Sequence, residues 1–204
     1  MTGPRIQPEW AMVTIAFVDI RGFTTFADRS TAREAAAYLT EFFEVAVPVL
    51  RQHGGQVNKL LGDGLLSVFG APEPAGDHAD RALAAATDLL DAVSTTLGDR
   101  CRIGIGINSG LVLIGTMDAA DVLELAVVGD PVNVASRVQD ATRDLGEPLL
   151  LTQATRLLLE TPVAQLQSRG TISAKGKAKL IPVYGLAPDS VTLSGRLTHT
   201  KELT

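Results

Sequence analysis

The sequence predicts an α+β or mixed α/β domain, a sheet with helices packed on it, and three patterns carry that reading. Residues 12–18 form a nearly continuous apolar run, as expected of a central strand buried on both faces. Gly62-Asp63-Gly64 joins two short apolar runs, 56–61 and 65–69, in the manner of a hairpin. Elsewhere apolar residues recur at helical spacing, so strands alternate with helices but are also joined directly.

Taken in order, the first strand ends at Asp19 and is followed by the turn Arg21-Gly22-Phe23-Thr24. Thr31 and Glu34 then form a capping-box pattern opening a long helix, with Ala35, Leu39, Phe42, Ala46, Val49 and Leu50 at helical spacing. Pro48 is expected to kink that helix and Gly54-Gly55 to stop it. After the hairpin, Asp77 caps a second helix over roughly 77–97. Residues 101–107, 111–115 and 122–128 read as extended segments. Asp130 as N-cap and Pro131 at the first helical position open a third helix reaching about Leu145. A short helix near 152–160 and strands near 163–173 and 180–186 complete a domain over 1–187. Residues 188–204 read as a polar tail.

Composition excludes several classes. With 204 residues and 46% hydrophobic side chains, the chain is long enough for one domain with a real core. Its net charge of −5 argues against a nonspecific nucleic-acid binder. Cys101 is the only cysteine, so no intrachain disulfide can form, and His53, His78 and His199 show no zinc spacing. His53 is placed at a helix C-terminus and His78 at the surface. Neither a signal peptide nor a long apolar span is visible, so no membrane association and a cytoplasmic location are expected.

Four features can carry chemistry. Asp19 follows a buried strand, where a sheet presents ligands, although a turn-capping role accounts for it equally well. Asp63 lies in ordinary turn chemistry. Taken together, the two carboxylates could hold one or two Mg²⁺ or Mn²⁺ ions, which take one or two carboxylates plus substrate phosphates. Asn133 and Arg137, four residues apart, share one face of the first two turns of their helix, where an anion is favoured; an exposed polar stripe is the alternative. Arg169, Lys175, Lys177 and Lys179 form a positive run without an acid, either a polyphosphate contact or a solvated hairpin. By contrast, Gly104-Ile-Gly106-Ile-Asn108-Ser109-Gly110 has its glycines inside a strand and reads as close backbone packing, not a dinucleotide fingerprint.

Three blocks together resemble the signatures of class III nucleotidyl cyclase catalytic domains, in the style of actinobacterial adenylyl cyclases. They are Phe17-Val18-Asp19-Ile20-Arg21-Gly22-Phe23-Thr24, Asn58-Lys59-Leu60-Leu61-Gly62-Asp63-Gly64 and Val128-Gly129-Asp130-Pro131-Val132-Asn133-Val134-Ala135-Ser136-Arg137. Lys175-Gly176 before a terminal Val183-Tyr184 strand also matches, and the likeness spans about residues 10–186.

The resemblance implies a ferredoxin-like, palm-type α+β fold with a mixed, mainly antiparallel sheet. It also implies a homodimer with sites shared between subunits, and conversion of ATP to 3′,5′-cyclic AMP and pyrophosphate with two Mg²⁺ or Mn²⁺ ions per site. Asp19, Asp63 and the Ile20 carbonyl would hold the metals. Arg137 would stabilise charge on the α-phosphate, and Asn133 would orient the ribose. Lys175 (or Lys177) and the backbone of Arg21, Gly22, Phe23 and Thr24 would meet the triphosphate, and Lys59 the purine. On an extended strand Lys59 and Asp63 stand roughly 13 Å apart, at ~3.3 Å per residue, and the family places them in different sites of one dimer.

One position departs from the pattern. Where the family carries an Asp or Thr that accepts from the adenine amino group, this chain has Ala126. That loss is worth about 1–3 kcal/mol of base discrimination. Glu124, two residues earlier on the same strand face, is a substitute. Lys59 favours ATP. The alternatives are a guanylate cyclase and a low-activity nucleotide-sensing or dimerisation module.

Overall fold

A computed structural model of the chain describes residues 8–119, 122–160, 165–173 and 180–187. Its strands are β1 (Glu9–Ile20), β2 (Gln56–Leu61), β3 (Gly64–Phe69), β4 (Ile103–Ala119), β5 (Val122–Val128), β6 (Leu149–Thr152), β7 (Leu166–Ser173) and β8 (Leu180–Leu186). The helices are α1 (Phe23–Ala27), α2 (Ala32–Gln52), α3 (His78–Leu97), α4 (Asp130–Asp144) and α5 (Gln153–Arg156).

The strands form one sheet in the order β2-β3-β1-β4-β6-β8-β7, with β5 folded back on the far half of β4. Neighbours are antiparallel except β4 and β6. This is the mixed, mainly antiparallel α+β sheet expected, and the apolar run on β1 is why β1 lies inside it. Side chains alternate across a strand, so Ala16, Val18 and Ile20 pack under α2 and α3 while Val13 and Ile15 pack with Ala135 of α4.

Local signals were met unevenly. Thr31 and Glu34 make a complete capping box, the Thr31 N–H donating 2.7 Å to Glu34 Oε2. α2 runs through Pro48 to Gln52 as one helix. Asp77 precedes α3 without a capping bond, because its carboxylate instead pairs with Arg81 at 2.8 Å. Asp130 is not the cap of α4: Gly129 is, and Asp130 and Pro131 take the first two helical positions. The segments 101–107 and 111–115 are one continuous strand, β4. The short helix near 152–160 is α5 alone, a single turn.

The glycines of β4 pack as expected. A Cβ on Gly106 would run into the backbone of Gln139, and one on Gly110 would lie 2.5 Å from Pro131 Cγ. α4 therefore lies against bare strand backbone, which fixes its height above the sheet.

Candidate functional site

Asp19 is the penultimate residue of β1, paired with Gly64 on one side and Gly104 on the other. A Cβ on Gly64 would stand 3.1 Å from Asp19 Oδ1 and 2.5 Å from the Val18 carbonyl, so glycine there leaves room for the carboxylate. Leu61 and Gly64 are paired, which makes Gly62 and Asp63 the turn itself, with the positive φ of 66° at Gly62. The turn is tied to β1, since the Ile20 N–H donates 3.1 Å to the Asp63 carbonyl. Two carboxylates thus meet at one end of the sheet.

Their meeting is costly without a cation. Burial, then repulsion from Asp63, pushes the Asp19 carboxyl up to about 6; Arg143 opposes the rise and Asp140 adds to it. Arg143 Nη2 lies 3.9 Å from Asp19 Oδ2, too far for a formed hydrogen bond. Among the described residues no three His, Cys, Asp or Glu side chains are grouped so as to hold a metal ion by themselves, so a hard cation here would rest on Asp19 and Asp63 and take its other ligands from elsewhere. That donor set fits Mg²⁺ or Mn²⁺ completed by substrate phosphates.

The turn after Asp19 divides. Gly22 adopts φ 74° and caps α1, so Phe23 and Thr24 open a helix whose first amides lack intrahelical acceptors. Arg21 does not share that role. Its N–H donates 2.7 Å to the Arg102 carbonyl, and its guanidinium donates to the carbonyls of Ile103, Thr142 and Glu147. It is a clamp between β4 and the end of α4.

Asn133 and Arg137 share a face of α4, exposed and half-buried respectively. Ala135, Val138, Ala141 and Thr142 form the buried side. It is the C-terminal end of α4 that approaches Asp19, through Arg143. At 1.5 Å per residue, Asn133 lies about 15 Å and Arg137 about 9 Å further up the axis. One chain brings the carboxylates together but holds Asn133 and Arg137 apart from them.

Lys59 is exposed on β2 opposite Leu66, just past an irregularity in the ladder at Asn58. Because the chain reverses at Gly62-Asp63, its extended distance from Asp63 is an upper bound. Ala126 lies on β5 opposite Gly115, and Glu124 is paired with Met117, its side chain lying outside the described residues. Lys175, Lys177 and Lys179 also lie outside them. Arg169 leaves the positive run: it is half-buried, hydrogen-bonded to the Glu147 carboxylate, and donates 2.8 Å to the Leu186 carbonyl. His78 is buried rather than at the surface, its Nδ1 2.7 Å from Thr14 Oγ1. Sequence reading missed Asp140 and Arg143 beside Asp19. They lie three residues apart, and so on one face of α4, but no pattern in the sequence ties that face to Asp19.

The family model for the adenylate and guanylate cyclase catalytic domain matches residues 7–187, and the chain belongs to that family. It is a class III nucleotide cyclase domain, adenylyl or guanylyl. An uncharacterised protein of Mycobacterium tuberculosis (strain H37Rv) is 34% identical over 174 residues, covering 85% of this chain and 30% of that protein. The chain therefore spans about a third of the curated relatives it matches. Among solved structures, the adenylyl cyclase CyaB from P. aeruginosa superposes with a TM-score of 0.81 at 23% identity, over 89% of this chain and 96% of that one, a likeness of fold. The guanylate cyclase domain of RhGC from Catenaria anguillulae, in complex with GTP, gives 0.77 at 27% identity, over 88% and 98%. The catalytic core of a rhodopsin-guanylyl cyclase with converted specificity, in complex with ATPαS, gives 0.77 at 28%, over 89% and 98%. No described helix is long and apolar enough to cross a membrane.

Proposed function

We propose that this domain is an adenylate cyclase, converting ATP to 3′,5′-cyclic AMP and pyrophosphate at sites shared between two copies of the chain. The observation that carries the reading is the separation along α4: the carboxylate pair sits at one end of the helix, and Asn133 and Arg137 stand toward the other. A head-to-tail pair of chains brings the first set of one subunit to the second set of its partner, and symmetry makes two equal sites. Exposed Leu60, Leu61 and Val128 supply apolar surface for such a contact.

Asp19, Asp63 and the Ile20 carbonyl would hold Mg²⁺ or Mn²⁺. When bound, such ions lower the pKa of a hydroxyl and neutralise phosphate charge. The amides opening α1 at Phe23 and Thr24 meet triphosphate oxygens. Arg137 stabilises the negative charge that grows on the α-phosphate as the 3′-oxygen attacks and pyrophosphate leaves. Asn133 orients the ribose, and Lys175 is assigned to the triphosphate. Lys59 donates to adenine N1, an atom that in guanine carries a proton and repels a cationic donor. Ala126 contributes no hydrogen bond to the base, and Glu124 on the same strand face is the available acceptor.

The test is one assay of purified protein with Mn²⁺, ATP and GTP presented separately at two protein concentrations, with products resolved chromatographically. The expected result is cyclic AMP from ATP, with specific activity rising with concentration. Cyclic GMP as the main product would overturn the substrate, and no cyclic product from either would overturn the reaction.

A further inference from the structure

The core holds a file of polar side chains that the mechanism above does not use. His78, at the start of α3, Thr14 on β1 and Ser109 on β4 meet beneath α3. Thr155 of α5 and Thr152 at the end of β6 continue the file around the sheet to Asn108, on the α4 side of β4. All six residues are buried, at 0–6% exposure. Successive atoms are separated by 2.7, 2.7, 3.1, 3.3 and 2.8 Å. At the far end, Asn108 Nδ2 donates 2.9 Å to the carbonyl of Pro131.

The far end sets the direction of every bond in the file. A carbonyl only accepts, so the Asn108 amide must turn its NH₂ toward Pro131 and its Oδ1 toward Thr152. Thr152 then spends its one hydrogen on Asn108 and accepts from Thr155. By the same count Thr155 accepts from Ser109, Ser109 from Thr14, and Thr14 from a protonated His78 Nδ1. Each hydroxyl both accepts and donates, so the bonds polarise one another in one direction. The network assigns the tautomer of His78 and the orientation of Asn108 together.

We propose that Asn108, held in this orientation by the file, is a positioning residue for the cyclase reaction: it fixes the first turn of α4 and with it Asn133 and Arg137. The inference rests on the role given to those two residues above. Two further observations support it. The first turn of α4 has no side-chain cap, since Gly129 occupies that position. On the α4 side of β4, Gly104, Gly106 and Gly110 present only backbone, so within that stretch Asn108 alone offers a side chain that can index the helix. A helix resting on glycines is set in height but not against sliding; a hydrogen bond to one carbonyl of its first turn sets both.

The experiment uses the full chain with Asn108→Ala, and the pair Thr152→Val and Thr152→Ser as a second route should Asn108→Ala fold poorly. Valine keeps the shape of threonine without the hydroxyl, whereas serine keeps the hydroxyl. Steady-state kinetics with Mn²⁺ and ATP or GTP are measured well below each variant's melting temperature, together with amide hydrogen exchange over residues 130–137. Asn108→Ala and Thr152→Val should lower kcat about ten- to a hundredfold with KM within about threefold, because misplacement affects groups used in the transition state. Thr152→Ser should stay within about threefold of the parent. Exchange at the start of α4 should quicken in the first two variants only. Parental kcat in both, or Thr152→Ser as slow as Thr152→Val, overturns the proposal. A parent that makes no cyclic product overturns the reading of function instead. Exchange then decides whether the file holds the helix: quickening supports that and unchanged exchange overturns it.

Discussion

At the scale of single residues, Asp19 shows how a carboxylate proposed to hold metal weakens the fold that holds it. Its carboxyl is raised from 3.8 to about 6 in the folded protein, first by burial and then by Asp63. A raised acid pKa means the folded state binds the proton more tightly than the unfolded state. The resulting cost is absent below about pH 4, grows as pH rises through the folded value, and is complete above it. Without divalent metal, Asp19→Asn should therefore melt several degrees above the parent at pH 8, from a gain of about 2 kcal/mol once solvent screening of this partly exposed carboxyl is allowed for, and match it near pH 4. Mn²⁺ should raise the melting temperature of the parent and leave that of the variant unmoved. Melting curves across pH with and without Mn²⁺ decide it, and a variant less stable than the parent at pH 8 would contradict the assignment. His78 works in the opposite sense. Burial lowers its pKa against the pull of Asp77 and Asp80, so its contribution is whole above about pH 6.5 and is lost as pH falls through that value toward the lower folded pKa. Asn can still donate to Thr14, so His78→Asn should flatten the acid limb of stability below about pH 6.5. Urea titrations at several pH values measure it.

At the scale of elements, much was legible because it rests on period and on backbone. The buried run of β1, the hairpin at Gly62-Asp63, the capping box of α2 and the glycine stripe of β4 each follow from a local rule that tertiary packing did not override. His78 was misplaced because the charges flanking it, Asp77 and Asp80, resemble a solvated helix start. Its helical partners Ala82 and Ala85 are both buried, and that spacing was the better guide. Asp130 was misread because an acid before proline fits the capping pattern, whereas the backbone at Gly129 is what turns into the helix. The arrangement around Asp19 was half legible: the two carboxylates each lie in a signature block, but Arg143 reaches them only through the path of α4 across the sheet. The glycine stripe yields its own prediction. Gly106→Ala would drive a methyl into the Gln139 backbone and push α4 off β4, at a cost of about 3 kcal/mol or more. Gly76→Ala meets nothing within 4 Å and should change stability by less than about 0.5 kcal/mol. Chemical denaturation of both variants separates a packing requirement from a general preference for glycine.

At the scale of the whole molecule, a single chain keeps the two halves of the proposed site apart. α4 crosses the sheet with Arg143 toward Asp19, so Asn133 and Arg137 project about 15 and 9 Å up the axis from that end. Asp63→Ala and Arg137→Ala should each abolish turnover when present alone, since every site in either homodimer lacks one component. Mixed and allowed to exchange subunits, the two variants behave differently. One site of a heterodimer takes Asp63 from the Arg137→Ala chain and Arg137 from the Asp63→Ala chain, and so is complete; the other site lacks both. Random pairing makes about half the dimers mixed, each with one site of two intact, so activity should return to about a quarter of the parent at equal total protein. Sites built within one chain would recover nothing, because each chain carries its own defect. Assaying product from the mixture, with heterodimers counted by mass spectrometry from differently tagged chains, distinguishes the cases: heterodimers formed without activity would overturn the shared site, while recovery in proportion to their number would fix which subunit supplies each half.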